Sequence, residues 1–349
     1  MPTSDARAPT ARTLPKRMPP DWTPLVDGYS AGFESHVAEF VIAAFGQQYA
    51  APAPGHGFAA AAARAFDLPD GPASVQHGHF LDAQGIDHRM AIAYWTDPAA
   101  FGRWDAADDW PAWCGRPRGA GVWREVLRVP VERGETLLSS PLIRWGLAGA
   151  RTRLVGPVRE HGYWGAMRDR LPVSAHEALE PGASPSTSSA PRDPRQRRIV
   201  EPPTNLCVIC SGQDWSACEP AHVQFYLREL EPKLRAAMTD LATRAADHGC
   251  LGSRFVRMTD AAGQPLDASF AMAYFRSLAD LERWAANDPL HLDIYRSFID
   301  HKRRTQTTLR LWHEVLVLPA HEQRFEYLGC PPGTGLAAAS GAPAPKTAP

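Results

Sequence analysis

The sequence predicts an α+β protein built from two ferredoxin-like repeats in one chain, of the dimeric α/β-barrel type. Three observations predict it. First, one block of sequence occurs twice: Asp87 to Trp95, Asp97 to Trp104 and Trp123 to Leu127 return as Asp267 to Phe275, Ser277 to Trp284 and Trp312 to Leu316. The spacings agree, with eight residues from Asp to aromatic and nine from aromatic to Trp in both copies. Second, each copy alternates short strand and helix patterns, the mark of β–β–α–β units whose helices cover one sheet face. Third, a Pro/Ser/Arg-rich stretch at 174–204 separates the copies, as a long connecting loop would.

The elements follow in order. Residues 1–20 are Pro-rich and basic and read as a flexible arm. The first repeat spans 21–173. It has a helix-like stretch near Gly32–Tyr49, strands near Ser74–His79 and Met90–Trp95, a helix near Pro98–Ala106 and a strand from Val122 to Val129. Residues 174–204 read as a mobile surface loop, and the second repeat spans 205–330. In it, Asn205–Ser211 reads as a strand, Glu219–Asp247 as a helix, Gly252–Met258 and Ser269–Phe275 as strands, and Leu278–Ala286 as a helix. Asp288-Pro289 is a helix start, with Asp as N-cap and Pro at the first helical position, so a further helix runs to about Lys302. A strand from Thr308 to Leu318 closes the repeat, and 331–349 reads as a low-complexity tail too small and polar to pack.

Composition narrows the function classes. Lys plus Arg (37) nearly balance Asp plus Glu (38), so a nucleic-acid or acidic-membrane partner is not expected. Nothing approaches a run of about 18 apolar residues, so no membrane span is expected. The first twenty residues lack the apolar core of a secretory signal, and a cytoplasmic location is expected. The six cysteines include one Cys-x-x-Cys, Cys207 to Cys210, on a strand pattern. Residues three apart on a strand point to opposite faces, so these sulfurs do not chelate one metal. There is no Gly-x-Ser-x-Gly, no phosphate-binding loop and no dinucleotide fingerprint.

Chemistry is expected where the copies differ. His313 stands where the first copy has Arg124. On its strand, Leu309, Leu311, His313, Val315 and Val317 share a face, so His313 points inward, where burial and neighbours tune an acid/base group. A core histidine bonded to a backbone carbonyl fits the same pattern. His291 lies where the second copy is about nine residues longer. It leads a stripe with Ile294, Tyr295 and Phe298 at helical spacing. A histidine so placed can ligate a flat apolar cofactor such as haem, and a solvent-facing residue near the cap fits equally. Glu160-His-Gly-Tyr-Trp-Gly-Ala-Met-Arg-Asp-Arg170 could close over a pocket or form an ion-paired loop. Ser211-Gly-Gln-Asp-Trp215 reads as a turn at a strand end, or as a hydroxyl offered to a pocket.

Taken together, these segments resemble the bacterial haem-containing aldoxime dehydratases. The likeness is carried by Phe66-Asp-Leu-Pro-Asp-Gly-Pro72, Ala93 to Ala100, Glu160 to Arg170, Ser211 to Trp215, Pro289-Leu-His-Leu292 and Leu311-Trp-His-Glu-Val315, and runs from about 40 to 333. The resemblance implies a haem b, ferrous in the active form, held by His291 as proximal iron ligand. It implies a distal acid/base in His313, Ser211 and Arg170 on the oxime hydroxyl, and Glu135 behind the distal histidine. Arg168 competes with Arg170 in the same motif. The implied reaction turns an aldoxime, R–CH=N–OH, into a nitrile and water. The partners implied are a small aldoxime and, as a candidate assembly, a homodimer. Another haem enzyme of this fold, peroxidase-like or chlorite-dismutase-like, or a non-enzymatic haem-binding protein, is the competing reading.

Overall fold

The computed structural model describes residues 12–49, 56–107, 110, 121–183, 185–187, 197–319, 321 and 323–341. The expected arm before residue 12, the stretch 188–196 and the tail beyond 341 lie outside the described residues. The first half contains β1 (Ser30–Gly32), β2 (Glu39–Tyr49), α1 (His56–Phe66), β3 (Ser74–Leu81), β4 (Asp87–Trp95), α2 (Pro98–Ala107) and β5 (Val122–Pro130). Then come β6 (Gly134–Leu138), β7 (Arg153–Val155), α3 (Ala166–Arg170), β8 (Ser186–Thr187) and β9 (Arg197–Glu201). The second half contains β10 (Leu206–Asp214), α4 (Pro220–Phe225), α5 (Glu231–Thr243), α6 (Ala245–His248), β11 (Cys250–Thr259) and β12 (Pro265–Phe275). It ends with α7 (Leu278–Asn287), α8 (Pro289–Arg304), β13 (Arg310–Leu318) and β14 (Arg324–Leu328).

Each half is thus a complete β–α–β–β–α–β unit, from β2 to β5 and from β10 to β13, with antiparallel pairing. The units join edge to edge through β3 and β11. The twelve strands run in the order β6-β13-β10-β12-β11-β3-β4-β2-β5-β14-β9-β8. The repeat holds at the level of register. Ser211 pairs with His313 and Gly212 with Trp312, as Phe45 pairs with Arg124 and Gly46 with Trp123.

The sheet curls so that the inner faces of the halves share one core, including Ile42, Tyr94, Trp123 and Leu127 from one and Val208, Phe270, Tyr274 and Trp312 from the other. Each outer face carries its own helix layer. Phe45, Phe66, Trp95 and Trp104 pack under α1 and α2, and Leu234, Leu241, Phe275, Leu281 and Val315 under α5 and α7. Each fully buried large side chain contributes about 1.5–3 kcal/mol relative to exposure. Cys207 lies in the helix-side core and Cys210 in the inner one, on opposite faces as expected for a strand. Gly46 and Gly212 let Trp123 and Trp312 lie flat on the neighbouring strand. A Cβ at either would stand 2.2 Å from the indole.

Several expectations are corrected. Residues Glu39–Tyr49 form a strand, not a helix. Phe40, Ile42 and Ala44 face the inner core and Val41, Ala43 and Phe45 the helix layer, so both faces are apolar and the period of two is masked. The expected helix Glu219–Asp247 is interrupted by a π-turn at Tyr226–Leu230. Pro232 follows, and it has no N–H for the Arg228 carbonyl, so the hydrogen-bond ladder widens there. The stretch 174–204 is not simply a loop, because β9 pairs with β14 and β8 with β9. The arm is anchored from residue 13 on: Thr13 and Leu14 donate to the Ala175 carbonyl, and the Arg17 and Met18 amides to Asp169. The tail also continues as a 3-10 segment, Gly335–Gly341, with Leu336 fully buried. Ser211 to Asp214 continue β10, where a turn was one reading. No helix among the described residues is long and apolar enough to cross a membrane.

Candidate active site

His291 sits in the first turn of α8. Asp288 caps that helix, its Oδ1 accepting from the Leu290 and His291 amides at 3.0 and 3.1 Å. Cap and Pro289 fix where the helix begins, and so where His291 points. His291 Nδ1 lies 2.7 Å from the Ala285 carbonyl oxygen at the end of α7. A carbonyl only accepts, so Nδ1 carries the proton and Nε2 keeps its lone pair. Burial pulls the imidazole below its ordinary pKa, against the opposing pull of Ala285 and Asp288, so the neutral, ligating form dominates at pH 7. The Trp284 ring braces it, with centroids 4.6 Å apart.

His291 opens onto a cavity of about 240 Å³ between the β10–β12–β13 face and helices α5 and α8. The expected stripe lines it: His291, Ile294, Tyr295 and Phe298. Leu234, Met238 and Leu241 of α5 form a facing stripe, with Ile209 and Leu311 as the floor. Ser211 and Gln213 are its polar lining from β10. Ser211 Oγ has no hydrogen-bond partner among the described residues, so a hydroxyl is free to meet a ligand. An apolar cleft with one neutral histidine, its second nitrogen held by a carbonyl, fits the donor set of a haem site.

His313 is the cross-strand partner of Ser211, on the same helix-facing side of the sheet. Its side chain is 24% exposed, and its environment is charged rather than purely apolar. Arg170 Nη2 lies 2.7 Å from His313 Nε2, and Glu135 Oε1 lies 3.1 Å from the same atom. Arginine only donates, so a His313 Nε2 without a proton accepts from Arg170. A protonated Nε2 donates to Glu135 instead. Nε2 therefore has a partner whether or not it carries a proton. Nδ1 has none among the described residues.

Two segments from beyond the first half's unit deliver these partners. Glu135 lies on β6, which adds to the second half as the edge strand beside β13. Arg170 ends α3 and grips Glu135 twice, Nε to Oε2 at 2.7 Å and Nη2 to Oε1 at 3.1 Å. Burial alone would raise the Glu135 carboxyl, but the charges of Arg170 and His313 outweigh it and hold it below the usual carboxylate value. Asp169 pins α3 by taking the Tyr163 hydroxyl at 2.7 Å and the arm's backbone amides. Arg168 turns away: it binds Glu282 of α7 and the Ala178 carbonyl.

Of the five expected site residues, His313, Arg170 and Glu135 thus meet directly, and Ser211 joins them through register. His291 shares the Ser211 cavity from the opposite, helical wall. Sequence reasoning missed the Ala285 carbonyl, which has no side-chain signature. It also missed the α5 stripe, which the spacing of Leu234, Met238 and Leu241 does carry.

Comparisons with known proteins give the family. The model of the haem-containing dehydratase family matches residues 43–336. An aliphatic aldoxime dehydratase of Pseudomonas chlororaphis is 34% identical over 95% of this chain and 96% of its own length. A phenylacetaldoxime dehydratase of Bacillus sp. (strain OxB-1) is 32% identical over 92% and 93%. Among solved structures, an aldoxime dehydratase superposes with a TM-score of 0.87 at 34% identity, covering 95% of this chain and 96% of that one. Another, in complex with butyraldoxime, gives 0.88 at 31%, covering 95% and 94%. A family match over most of the chain and relatives above 30% identity along nearly all of it have one meaning: this chain is a member of the haem-containing dehydratase family.

Proposed function

We propose that the protein is a haem-dependent aldoxime dehydratase, converting R–CH=N–OH to R–C≡N and water. The observation that carries the reading is the pairing of His291, ligand-ready in an apolar cavity, with the His313–Glu135–Arg170 triad beside Ser211. The butyraldoxime held by a structural relative supports the substrate class.

In this reading His291 Nε2 would hold a haem b, and that group, in its ferrous state, would supply the electron density that weakens the oxime N–O bond. The residues do the proton chemistry. Hydroxide is a poor leaving group, so protonated His313 gives its proton to the oxime oxygen as the N–O bond breaks, and water leaves. The carbon-bound hydrogen then departs as a proton, its electron pair forms the third C–N bond, and His313 takes that proton back. Protons balance and no net redox change occurs. Glu135 accepts from His313 Nε2–H throughout, which leaves the partner-free Nδ1 to give and take the proton, and Arg170 fixes Glu135 through its two-pronged grip. Ser211 Oγ orients the oxime hydroxyl. Such general acid help amounts to roughly a hundred- to ten-thousandfold in rate.

The test is direct. Haem-loaded protein, reduced with dithionite under anaerobic conditions, is given butyraldoxime and phenylacetaldoxime. Nitrile from at least one is expected, and none from either overturns the reading.

A further inference from the structure

The repeat contains one pair of equivalent contacts that are not chemically equivalent. Tyr94 on β4 and Tyr274 on β12 occupy the same repeat position, and each reaches across the shared core to a glutamate of the other half. Tyr94 donates to Glu314 Oε1 at 2.9 Å, and Tyr274 donates to Glu125 Oε2. The glutamates are equivalent too: Glu125 follows Arg124 and Glu314 follows His313. All four side chains belong to residues that are only 1% exposed.

The third member of each set differs. Arg254 stands two residues beyond Gly252, the cross-strand partner of Tyr274, and Gln76 stands two beyond Ser74, the partner of Tyr94. Arg254 Nη2 donates to Tyr274 at 2.9 Å and to Glu125 at 2.6 Å. Gln76 Nε2 donates to Tyr94 at 3.1 Å. One bridge between the halves is therefore ionic, and the other has an amide where the cation would be.

The groups facing Glu314 are Tyr94 from β4, the Cys210 thiol from β10 and the Leu147 amide at 2.8 Å from the Gly146–Gly149 turn, while the Glu135 carboxylate of β6 lies on the other face of the sheet. Gln76 of β3 stands behind Tyr94. None of these is a cation. The turn is built to approach: Gly146 has φ +63°, and a Cβ there would lie 2.4 Å from Glu314 Oε2. A buried carboxyl without a cation favours its neutral form, and burial pushes Glu314 up to about 7.

We propose that Glu314 is a positioning residue, a buried acid without a cation that ties β13 of the second half to Tyr94 and Leu147 of the first and so holds His313 against Glu135 and Arg170. Its ionisation places an uncompensated charge in the core between the halves, which weakens that tie. The turnover readout of this proposal rests on the dehydratase reading, while the stability readout does not.

The folded value lies above the unfolded 4.5, so stability from this group is full below about 4.5 and falls as pH rises to about 7. Above that, the folded protein carries an ionised Glu314. The experiment measures Tm and nitrile turnover of the haem-loaded full chain across about pH 5 to 9, for wild type, Glu314→Gln and Glu314→Ala. Wild type should lose Tm up to about pH 7 and lose turnover above it. Glu314→Gln, which keeps a neutral acceptor, should flatten both profiles. Glu314→Ala should lower kcat about tenfold with KM within about twofold, because misplaced acid/base help weakens chemistry more than binding. Profiles of Glu314→Gln that match wild type overturn the proposal, and so does full turnover in Glu314→Ala. A wild type that makes no nitrile, but whose Tm slope disappears in Glu314→Gln, overturns the dehydratase reading and supports the bridge.

Discussion

Ser211 and His313 are direct cross-strand partners on β10 and β13, at the register positions that Phe45 and Arg124 hold on β2 and β5. The same two backbone sites thus carry a ring and an ion-paired guanidinium in one half, and a free hydroxyl and an imidazole in the other. Arg124 is tied to Asp105 and Glu326, which makes its position structural. The second half adds α8, and with it a cavity that Ser211 lines.

His291→Ala should lose haem, seen as loss of Soret absorbance after gel filtration. Deleting the side chain removes the one neutral imidazole that lines the cavity, and added imidazole should restore part of the band. Full haem retention would remove His291 from the ligand role.

Arg170→Lys and Arg168→Lys should separate cleanly. Lysine cannot reproduce the two-pronged grip on Glu135 and the contact with His313, so Arg170→Lys should lower kcat by about tenfold or more. Arg168 binds Glu282, away from His313, so its lysine variant should lower Tm while kcat stays within about threefold. Equal kcat losses would contradict the division of labour.

Glu135 sets an acid limit. Its folded pKa lies below 4.5, so its contribution to stability is present above that value and is lost as pH falls through the lower folded one. Urea unfolding of wild type at successively lower pH should show that loss, and Glu135→Gln should show a flatter slope. A steeper acid slope in the variant would contradict the assignment.

Gly212→Ala should destabilise by about 1–3 kcal/mol, because its Cβ meets the buried Trp312 ring at 2.2 Å and the ring must shift. Gly57→Ala, in α1 with open space around its Cβ, should be neutral or stabilise by up to about 1 kcal/mol. The urea midpoints check both, and equal shifts would contradict the tight packing of Trp312 on β10.

The parts of the fold legible in the sequence are those set by local periodicity. The repeat gave both half-units, Asp288-Pro289 gave the start of α8, and the spacing of His291, Ile294, Tyr295 and Phe298 gave the cavity wall. What escaped depends on partners far along the chain. Strand β2 reads as a helix because both its faces are buried, which only the second half's sheet and α1 together explain. Ser211-Gly212 reads as a turn because the need for glycine comes from Trp312, one hundred positions on. Glu314 drew no reading in the sequence because its partners Tyr94 and Leu147 belong to the other half. The site's residue types were visible, and Arg170 over Arg168 became a matter of geometry once α3 was placed.

The most direct measurement is nitrile formation from butyraldoxime by reduced, haem-loaded wild type and His313→Ala at matched Soret absorbance. The account predicts nitrile from wild type and a rate lower by about a hundred- to ten-thousandfold in the variant, with haem retained. A His313→Ala protein that binds haem and turns over at the wild-type rate would contradict it.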